Sequence, residues 1–358
     1  MRAAVLTAAE QPFALWDLEP EPLGPTDVRV RVLASGVCRS DLHRVTGDIP
    51  ADLPIVLGHE ACATVLEVGA AVTAVAAGDR VVTTSNPECG SCWFCVNGQP
   101  NLCETTAALR GRAAGRGPGG VRVAALAGLG SFREEMRVDQ SMVVRVDSGL
   151  ADEELALLGC GVMTGLGAVL NTARVEPGAS VAVLGCGGVG LAAVQGGRIA
   201  GAARVIAVDP VASKREAALA LGATDAIDPA AADAVAAVRA ATGGRGADYA
   251  FEMVGSAAAI LQARAMTRRG GTTVLVGAAP RAETVTFSAW DLHVEGRILG
   301  CSNGSAHVRR DVPRFLGLAE AGQLDLGAMV SRRIALADLD TAFDALRTGE
   351  SIRTVVVP

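Results

Sequence analysis

Aromatic side chains are scarce in this chain of 358 residues: seven Phe, three Trp and one Tyr. Ala, Val and Gly dominate instead, which suits an α/β protein better than a β-sandwich. Two other features are missing. No run of 18 apolar residues occurs, and the start, MRAAVLTAAEQPFALWDLEP, has no apolar stretch ahead of a cleavage site. The expectation is a soluble, cytoplasmic protein with no membrane partner. No basic block or basic–aromatic stripe interrupts the scattered acids and arginines, and the net charge is −6. Nucleic acid is therefore not an expected partner. A complete disulfide framework is also excluded, because the cysteines number nine, at positions 38, 62, 89, 92, 95, 103, 160, 186 and 301. In a cytosolic chain a dense cysteine cluster points to metal.

Half of the residues are apolar, and the length exceeds one ordinary core, so two domains are expected. Residues 1–35 read as short strands; VRVRVLASGVC alternates apolar and charged residues, as a half-buried strand does. LGHEACATVLEVG and GDRVVTTS continue the β-rich part, and 111-GRAAGRGPGGVR-122 reads as loop. The character changes near 152. DEELALLGCGVMTGLGAVLNTA is helical, with Asp152, Glu153 and Glu154 at its N-terminus. VEPGASVAVLGCGGVG is a buried strand entering a Gly-rich turn. Strand and helix then alternate: AARVIAVD, SKREAALALG, GADYAFEMVG, the helix ILQARAMTRRG and the strand GTTVLVG. Such a βαβ series makes a mostly parallel, doubly wound sheet. The fold class expected is α/β plus a β-rich domain. The α/β part, 161–297, is inserted between 1–160 and a C-terminal return, 298–358, that completes the first domain.

LGCGGVG places Gly185, Gly187 and Gly190 as G-x-G-x-x-G between a strand and a helix. The first Gly makes the turn, the second lets backbone approach a pyrophosphate, and the third lets helix pack on strand. Amides at the helix start face the anion. Asp209 follows nineteen residues after the third Gly. An acid there accepts from a ribose 2′-OH and repels a 2′-phosphate, which favours NAD over NADP.

Cys89, Cys92, Cys95 and Cys103 are spaced C-x2-C-x2-C-x7-C. Four thiolates on one loop suit a closed, structural zinc. An iron–sulfur cluster and metal-free thiols are the alternatives; the cluster run would place its fourth Cys after three residues and follow it with Pro, whereas Glu104 follows here. A second set consists of Cys38 in CRSDLH, His59 beside Glu60 in GHE, and Cys160 in GCGVMTG. Two thiolates and one imidazole leave a fourth position open, the catalytic zinc pattern. Spacing alone does not bring these three together.

CRSDLH, GHE, the four-cysteine loop, GCGVMTG, GCGGVG, Asp209 with Lys214, and SIRT make the chain resemble the zinc-containing alcohol dehydrogenases of the medium-chain dehydrogenase/reductase superfamily along nearly its whole length. Two cysteines and a histidine are the set by which alcohol dehydrogenase holds its catalytic zinc. The resemblance implies a GroES-like catalytic domain with an inserted Rossmann domain. It implies two Zn2+ per chain and NAD. Cys38, His59 and Cys160 are the implied ligands of the catalytic zinc, with Glu60 near the metal and Asp41 orienting His59. Ser40 and His43 are the implied proton relay, and Thr164 touches the nicotinamide. Val189 packs behind the nicotinamide ring, Gly188 belongs to the phosphate turn, and Val276 and Gly277 are implied cofactor-binding residues. Arg39 and Arg353 serve the pyrophosphate, and Lys214 the adenosine ribose. The implied reaction is hydride transfer from a zinc-bound alkoxide to NAD+, or the reverse reduction of an aldehyde or ketone. A homodimer or homotetramer joined near 285–302 is implied too.

Ser85 is small where relatives often carry an aromatic, and Ile49 and Ala107 are apolar where the glutathione-linked formaldehyde branch carries polar groups. A bulky or aryl, uncharged alcohol is the expectation over S-hydroxymethylglutathione. A lyase or isomerase on the same fold, or a cofactor-sensing binder, are the competing classes. Replacing Asp209 by Gly is expected to relax the cofactor preference toward NADP+. An unchanged ratio of kcat/KM for the two dinucleotides counts against the role given to Asp209.

Overall fold

The computed structural model describes every residue except Arg281 and Glu350. The chain divides into two compact units, one of Met1–Gly161, His307–Gly322 and Leu326–Pro358, the other of Val162–Ala306 and Gln323–Asp325.

The first unit is built on two sheets. Valines at alternate positions of the strand Asp27–Gly36 turn inward; Val28 and Val30 are fully buried while Arg31 is exposed. This strand is the axis of the larger sheet. It pairs antiparallel with Ala61–Val68 on one side, and Glu135–Asp139 and Thr354–Val357 pair with other stretches of it. The C-terminal strand Thr354–Val357 in turn pairs parallel with Arg332–Ala335. Residues from both ends of the chain therefore share one sheet. Val28, Val30, Val65 and Met136 form the core on one face. The smaller, five-stranded sheet contains Arg2–Leu6 and, at its edge, a hairpin of Ala113–Arg116 and Arg122–Ala125. The segment 111–122 is thus partly strand, where its sequence reads as loop. Ala114 and Val123 are buried and fix the pairing, while the intervening glycines make the turn.

The second unit holds six parallel strands: Ser180–Leu184, Arg204–Val208, Asp225–Ile227, Ala247–Glu252, Thr267–Leu275 and Arg297–Gly300. Numbered along the chain, they lie side by side as 3-2-1-4-5-6, the doubly wound order of dinucleotide-binding domains. Two boundaries differ from the sequence reading. The helix Ala257–Met266 stops before Thr267, whose hydroxyl caps Ala263 O at 2.9 Å, so TRRGG is strand rather than helix. The unit also extends past 297 to Ala306, because Arg297–Gly300 pairs with Thr272–Leu275 as the sixth strand. Gln323–Asp325 joins it through Gln195, whose side chain bonds Asp325 N at 2.7 Å and Asp325 O at 3.1 Å. Among the described residues no single helix is long and apolar enough to cross a membrane.

Gly190 carries the closest helix–strand approach. A Cβ there would lie 1.9 Å from Gly185 O. Gly190→Ala is expected to cost about 1–3 kcal/mol of overpacking, a fall in Tm of roughly 2–12 °C, together with weakened dinucleotide binding. Differential scanning calorimetry with and without the dinucleotide measures both effects.

Candidate active site

Cys38 precedes the helix Arg39–Val45, and its own N–H donates to Asp41 Oδ2 at 3.0 Å. The same carboxylate reaches a second segment: Asp41 Oδ1 accepts from Gly58 N at 2.9 Å and lies 3.1 Å from His59 Nδ1. Asp41 is fully buried. It therefore fixes the imidazole in the tautomer that leaves Nε2 free as a ligand. Nε2 lies 3.3 Å from Cys160 Sγ, and the ligand atoms of Cys38, His59 and Cys160 all fall within 4.8 Å of one another. Cys160 interrupts the helical stretch, between the turn Leu157–Gly159 and the helix Gly161–Gly167, with φ −144° and ψ −72°. That break presents its sulfur. Burial works against a charged His59 ring, but Asp41 and Cys160 outweigh it and lift the imidazole well above its usual range. The hydrogen bond from Cys160, helped by Arg353, holds the Cys38 thiol well below its usual value despite burial.

The chemistry of this donor set fits zinc: two sulfurs and one oriented nitrogen, converging, with no fourth protein ligand among them. Glu60, the residue after His59, is fully buried. Burial pushes its carboxyl up to about 7, against the pull of Arg353. Glu60 Oε2 accepts from Gly161 N at 3.0 Å, and Oε1 accepts from Arg353 Nη1 at 2.9 Å. A Cβ at Gly36 would sit 2.5 Å from the same Oε1, so only glycine admits the carboxylate. Arg353 also donates to Val37 O at 2.9 Å and is 4% exposed. Arg353 is thus tied to Glu60, and its Nε has no partner among the described residues.

Ser40 and Arg39 are exposed, and Cys38 Sγ lies 3.9 Å from Ser40 Oγ. His43, near the end of the helix Arg39–Val45, pairs through Nδ1 with Asp48 Oδ2 of the following loop at 3.2 Å. Ser85 is buried, and its carbonyl accepts from Arg110 Nε at 3.1 Å, while Arg110 Nη2 donates to Asn86 Oδ1 at 2.6 Å. Arg110 also lines a cavity of about 290 Å³ with Arg44, Pro50 and Arg122. The apolar character read from Ile49 and Ala107 is therefore incomplete. Arg110 was missed because nothing in the order of residues along 104–131 shows that it folds back onto Ser85.

The sulfurs of Cys89, Cys92, Cys95 and Cys103 also converge within 4.8 Å of one another, and none forms a disulfide. Backbone N–H groups point at them: Cys92 N to Cys89 Sγ at 3.2 Å and Cys89 N to Cys103 Sγ at 3.3 Å. Amides aimed at sulfur favour thiolates, the form that would hold a closed tetrahedral zinc.

In the second unit, Gly185 adopts φ +94° and Gly187 caps the helix Gly188–Ile199. Asp209 Oδ2 accepts from Cys186 N at 2.8 Å and Oδ1 from Val211 N at 2.8 Å, so the acid buttresses the turn. Each oxygen keeps a second lone pair for a hydroxyl. Burial, with Asp209 adding to it, pushes the Cys186 thiol up to about 12. Val189 beside the turn is half-buried. Lys214, the one lysine of the chain, stands in the next helix, Ala212–Ala220. Val276 and Gly277 both donate N–H to Glu252 O at 2.9 Å. Thr164 Oγ1 lies 3.4 Å from Asn303 Oδ1. Glu252 escaped the sequence reading: it is fully buried, takes the amides of Val254 and Gly255 on Oε1, and has no partner on Oε2 among the described residues. It ends a strand beside Leu184, next to the Gly-rich turn.

A trio of residues able to hold zinc and a Gly-rich turn of the dinucleotide-binding kind on one chain fit a metal-dependent nicotinamide dehydrogenase. Comparison with known proteins agrees. Residues 24–148 match the alcohol dehydrogenase GroES-like domain, and residues 188–321 the zinc-binding dehydrogenase family. The chain is 39% identical over 365 residues to the NDMA-dependent alcohol dehydrogenase of Amycolatopsis methanolica, covering 99% of this chain and 98% of that one. It is 36% identical to the S-(hydroxymethyl)glutathione dehydrogenase of a Synechocystis species, over 99% of both chains. The crystal structure of benzyl alcohol dehydrogenase from Acinetobacter calcoaceticus superposes with a TM-score of 0.91 at 30% identity, over 99% of this chain and 98% of that one. The chain belongs to the zinc-type alcohol dehydrogenases of the medium-chain dehydrogenase/reductase superfamily. It is an oxidoreductase that uses zinc and a nicotinamide dinucleotide.

Asp41→Ala is expected to weaken zinc at the Cys38–His59–Cys160 set about 10- to 100-fold and leave the four-cysteine zinc in place. Metal analysis after dialysis against a graded chelator series should show one zinc per chain lost early and one retained. Equal retention of both in the variant would remove Asp41 from this role.

Proposed function

We propose that the enzyme oxidises a primary or secondary alcohol with NAD+, and reduces the aldehyde or ketone in reverse. The observation that carries this reading is the three-ligand set whose imidazole is locked by a buried carboxylate. Zinc held there by Cys38, His59 and Cys160 supplies Lewis acidity that makes a hydroxyl a better proton donor. The chain's own groups do the rest. Asp41 keeps Nε2 of His59 aimed at the metal position. Ser40, exposed beside Cys38, accepts the substrate proton, and His43 receives it for release to solvent; Asp48 at 3.2 Å stabilises the imidazolium that results. Glu60, paired with Arg353, keeps a second carboxylate next to the ligand His59. Asp209, Lys214 and the glycines from Gly185 to Gly190 take the dinucleotide, with Arg39 on its phosphates. Asp209 supports NAD over NADP because a 2′-phosphate would meet its charge.

The small Ser85 and apolar Ile49 and Ala107 support a bulky or aryl alcohol, in keeping with the benzyl alcohol dehydrogenase among its structural relatives. A second reading rests on Arg110, a cation that lines the cavity with Arg44 and Arg122 and is held by Ser85 O and Asn86 Oδ1. It favours a substrate carrying a carboxylate, such as the glutathione adduct of formaldehyde. The two readings part in one experiment, reduced-dinucleotide formation with benzyl alcohol and with S-hydroxymethylglutathione. Higher kcat/KM on benzyl alcohol is expected. A strong preference for the adduct, lost in Arg110→Ala, would establish the second reading and overturn the first.

A further inference from the structure

The six strands of the second unit share one row of paired residues at their carboxyl ends. Across the sheet that row runs Ile227, Val208, Leu184, Glu252, Leu275 and Gly300. Five of the six are apolar or glycine, as a parallel sheet covered on both faces requires. Glu252 is the exception. It is fully buried, and burial pushes its carboxyl above the usual range. Its Oε2 has no hydrogen-bond partner among the described residues. An apolar side chain at this place would serve the core at lower cost, because a buried carboxyl gives up its water. A residue that breaks the pattern of its neighbours in this way marks a local task.

The task is visible in the three residues that follow. Oε1 accepts from Val254 N at 2.6 Å and from Gly255 N at 2.7 Å, so the side chain closes a turn of its own backbone. Met253 N donates to Leu184 O at 2.9 Å, which ties the same turn to the strand that feeds the Gly-rich loop. The turn 253–255 is packed between two others. A Cβ on Gly185 would stand 3.0 Å from Val254 Cγ2, and a Cβ on Gly277 would stand 2.2 Å from Gly255 N. Its place in the topology is specific. The first strand, Ser180–Leu184, and the fourth, Ala247–Glu252, are neighbours in the order 3-2-1-4-5-6, and the order reverses between them. The crevice at the carboxyl ends of such a pair is where a doubly wound sheet receives a dinucleotide. The Gly-rich turn forms one lip of that crevice, and the turn 253–255 forms the other. With its amides held by Glu252, the second lip has its shape before the dinucleotide arrives, which lowers the cost of binding.

We propose that Glu252 is a positioning residue for the nicotinamide dinucleotide: Oε1 fixes the turn 253–255 as the second lip of the crevice, and binding depends on the reach of this side chain rather than on its charge. The test uses the zinc-loaded enzyme and titration calorimetry with NADH or NADPH, whichever the unsubstituted enzyme binds more tightly. Glu252→Gln keeps an oxygen at the same reach and should bind within about threefold of the unsubstituted enzyme. Glu252→Asp keeps the charge but is one methylene short, so two amides lose their acceptor, and Kd should rise about tenfold or more. KM for the dinucleotide should rise with Kd in the Asp variant and return in the Gln variant, while kcat at saturating dinucleotide changes less than about threefold. Hydrogen exchange on the unsubstituted enzyme needs no variant to fold: the amides of Val254 and Gly255 should be protected without dinucleotide. Free exchange of both amides overturns the proposal. So does a Gln variant weakened as much as the Asp variant, since charge would then be what matters. An Asp variant with a lowered Tm and unchanged Kd overturns it too and leaves Glu252 a purely structural residue, as does a fall in kcat with KM unchanged.

Discussion

One carboxylate, sealed from water, orders the metal site. Asp41 takes hydrogen bonds from Cys38 N, Gly58 N and His59 Nδ1, joining the ends of two segments just beyond where their strands stop pairing. A buried acid with three donors is stable only when all three are present, since an unmatched lone pair in the interior is costly. The geometry of Cys38 and His59 is therefore set together. Glu60 and Arg353 repeat the device one residue further on, with Gly36 left bare to admit the carboxylate. Rigidity at the metal comes from this shell of acids rather than from the ligands.

The dinucleotide turn uses the same economy. Asp209 holds Cys186 N and Val211 N, so the acid proposed to meet the ribose also braces the Gly-rich turn. Substitution at such a residue acts on shape and on selectivity together. Lys214 stands apart: it is the chain's one lysine among 32 basic residues, so its amine can be labelled almost alone.

Much of this was legible before any coordinates. The alternation in VRVRVLASG, the βαβ series and the G-x-G-x-x-G turn are local patterns, and local patterns survive in sequence because each is set by neighbours along the chain. The four-cysteine loop is local too. The catalytic trio is not: Cys38 and Cys160 are 122 positions apart, and only family resemblance united them. The Glu60–Arg353 pair, 293 positions apart, was legible only as two unrelated charges. The hairpin at 113–125 was hidden because glycine and arginine look like loop, although two buried apolar residues suffice to pin an edge strand. TRRGG was read into the preceding helix because the break depends on the Thr267 hydroxyl, a single hydrogen bond that composition does not reveal. Arg110 and Glu252 drew no attention since each matters only through what folds over it.

The distance between Glu60 and Arg353 also has a consequence in time. At about 5–20 residues per second of synthesis, the 293 positions from one to the other take roughly 15–60 seconds to emerge. For that interval Glu60 exists without the cation that belongs beside it. The second unit, whose sheet draws on residues up to Gly300, can assemble during the wait. The metal site is therefore finished after the domain inserted into it, and its completion reports that the chain has been read through to the strand that closes the sheet.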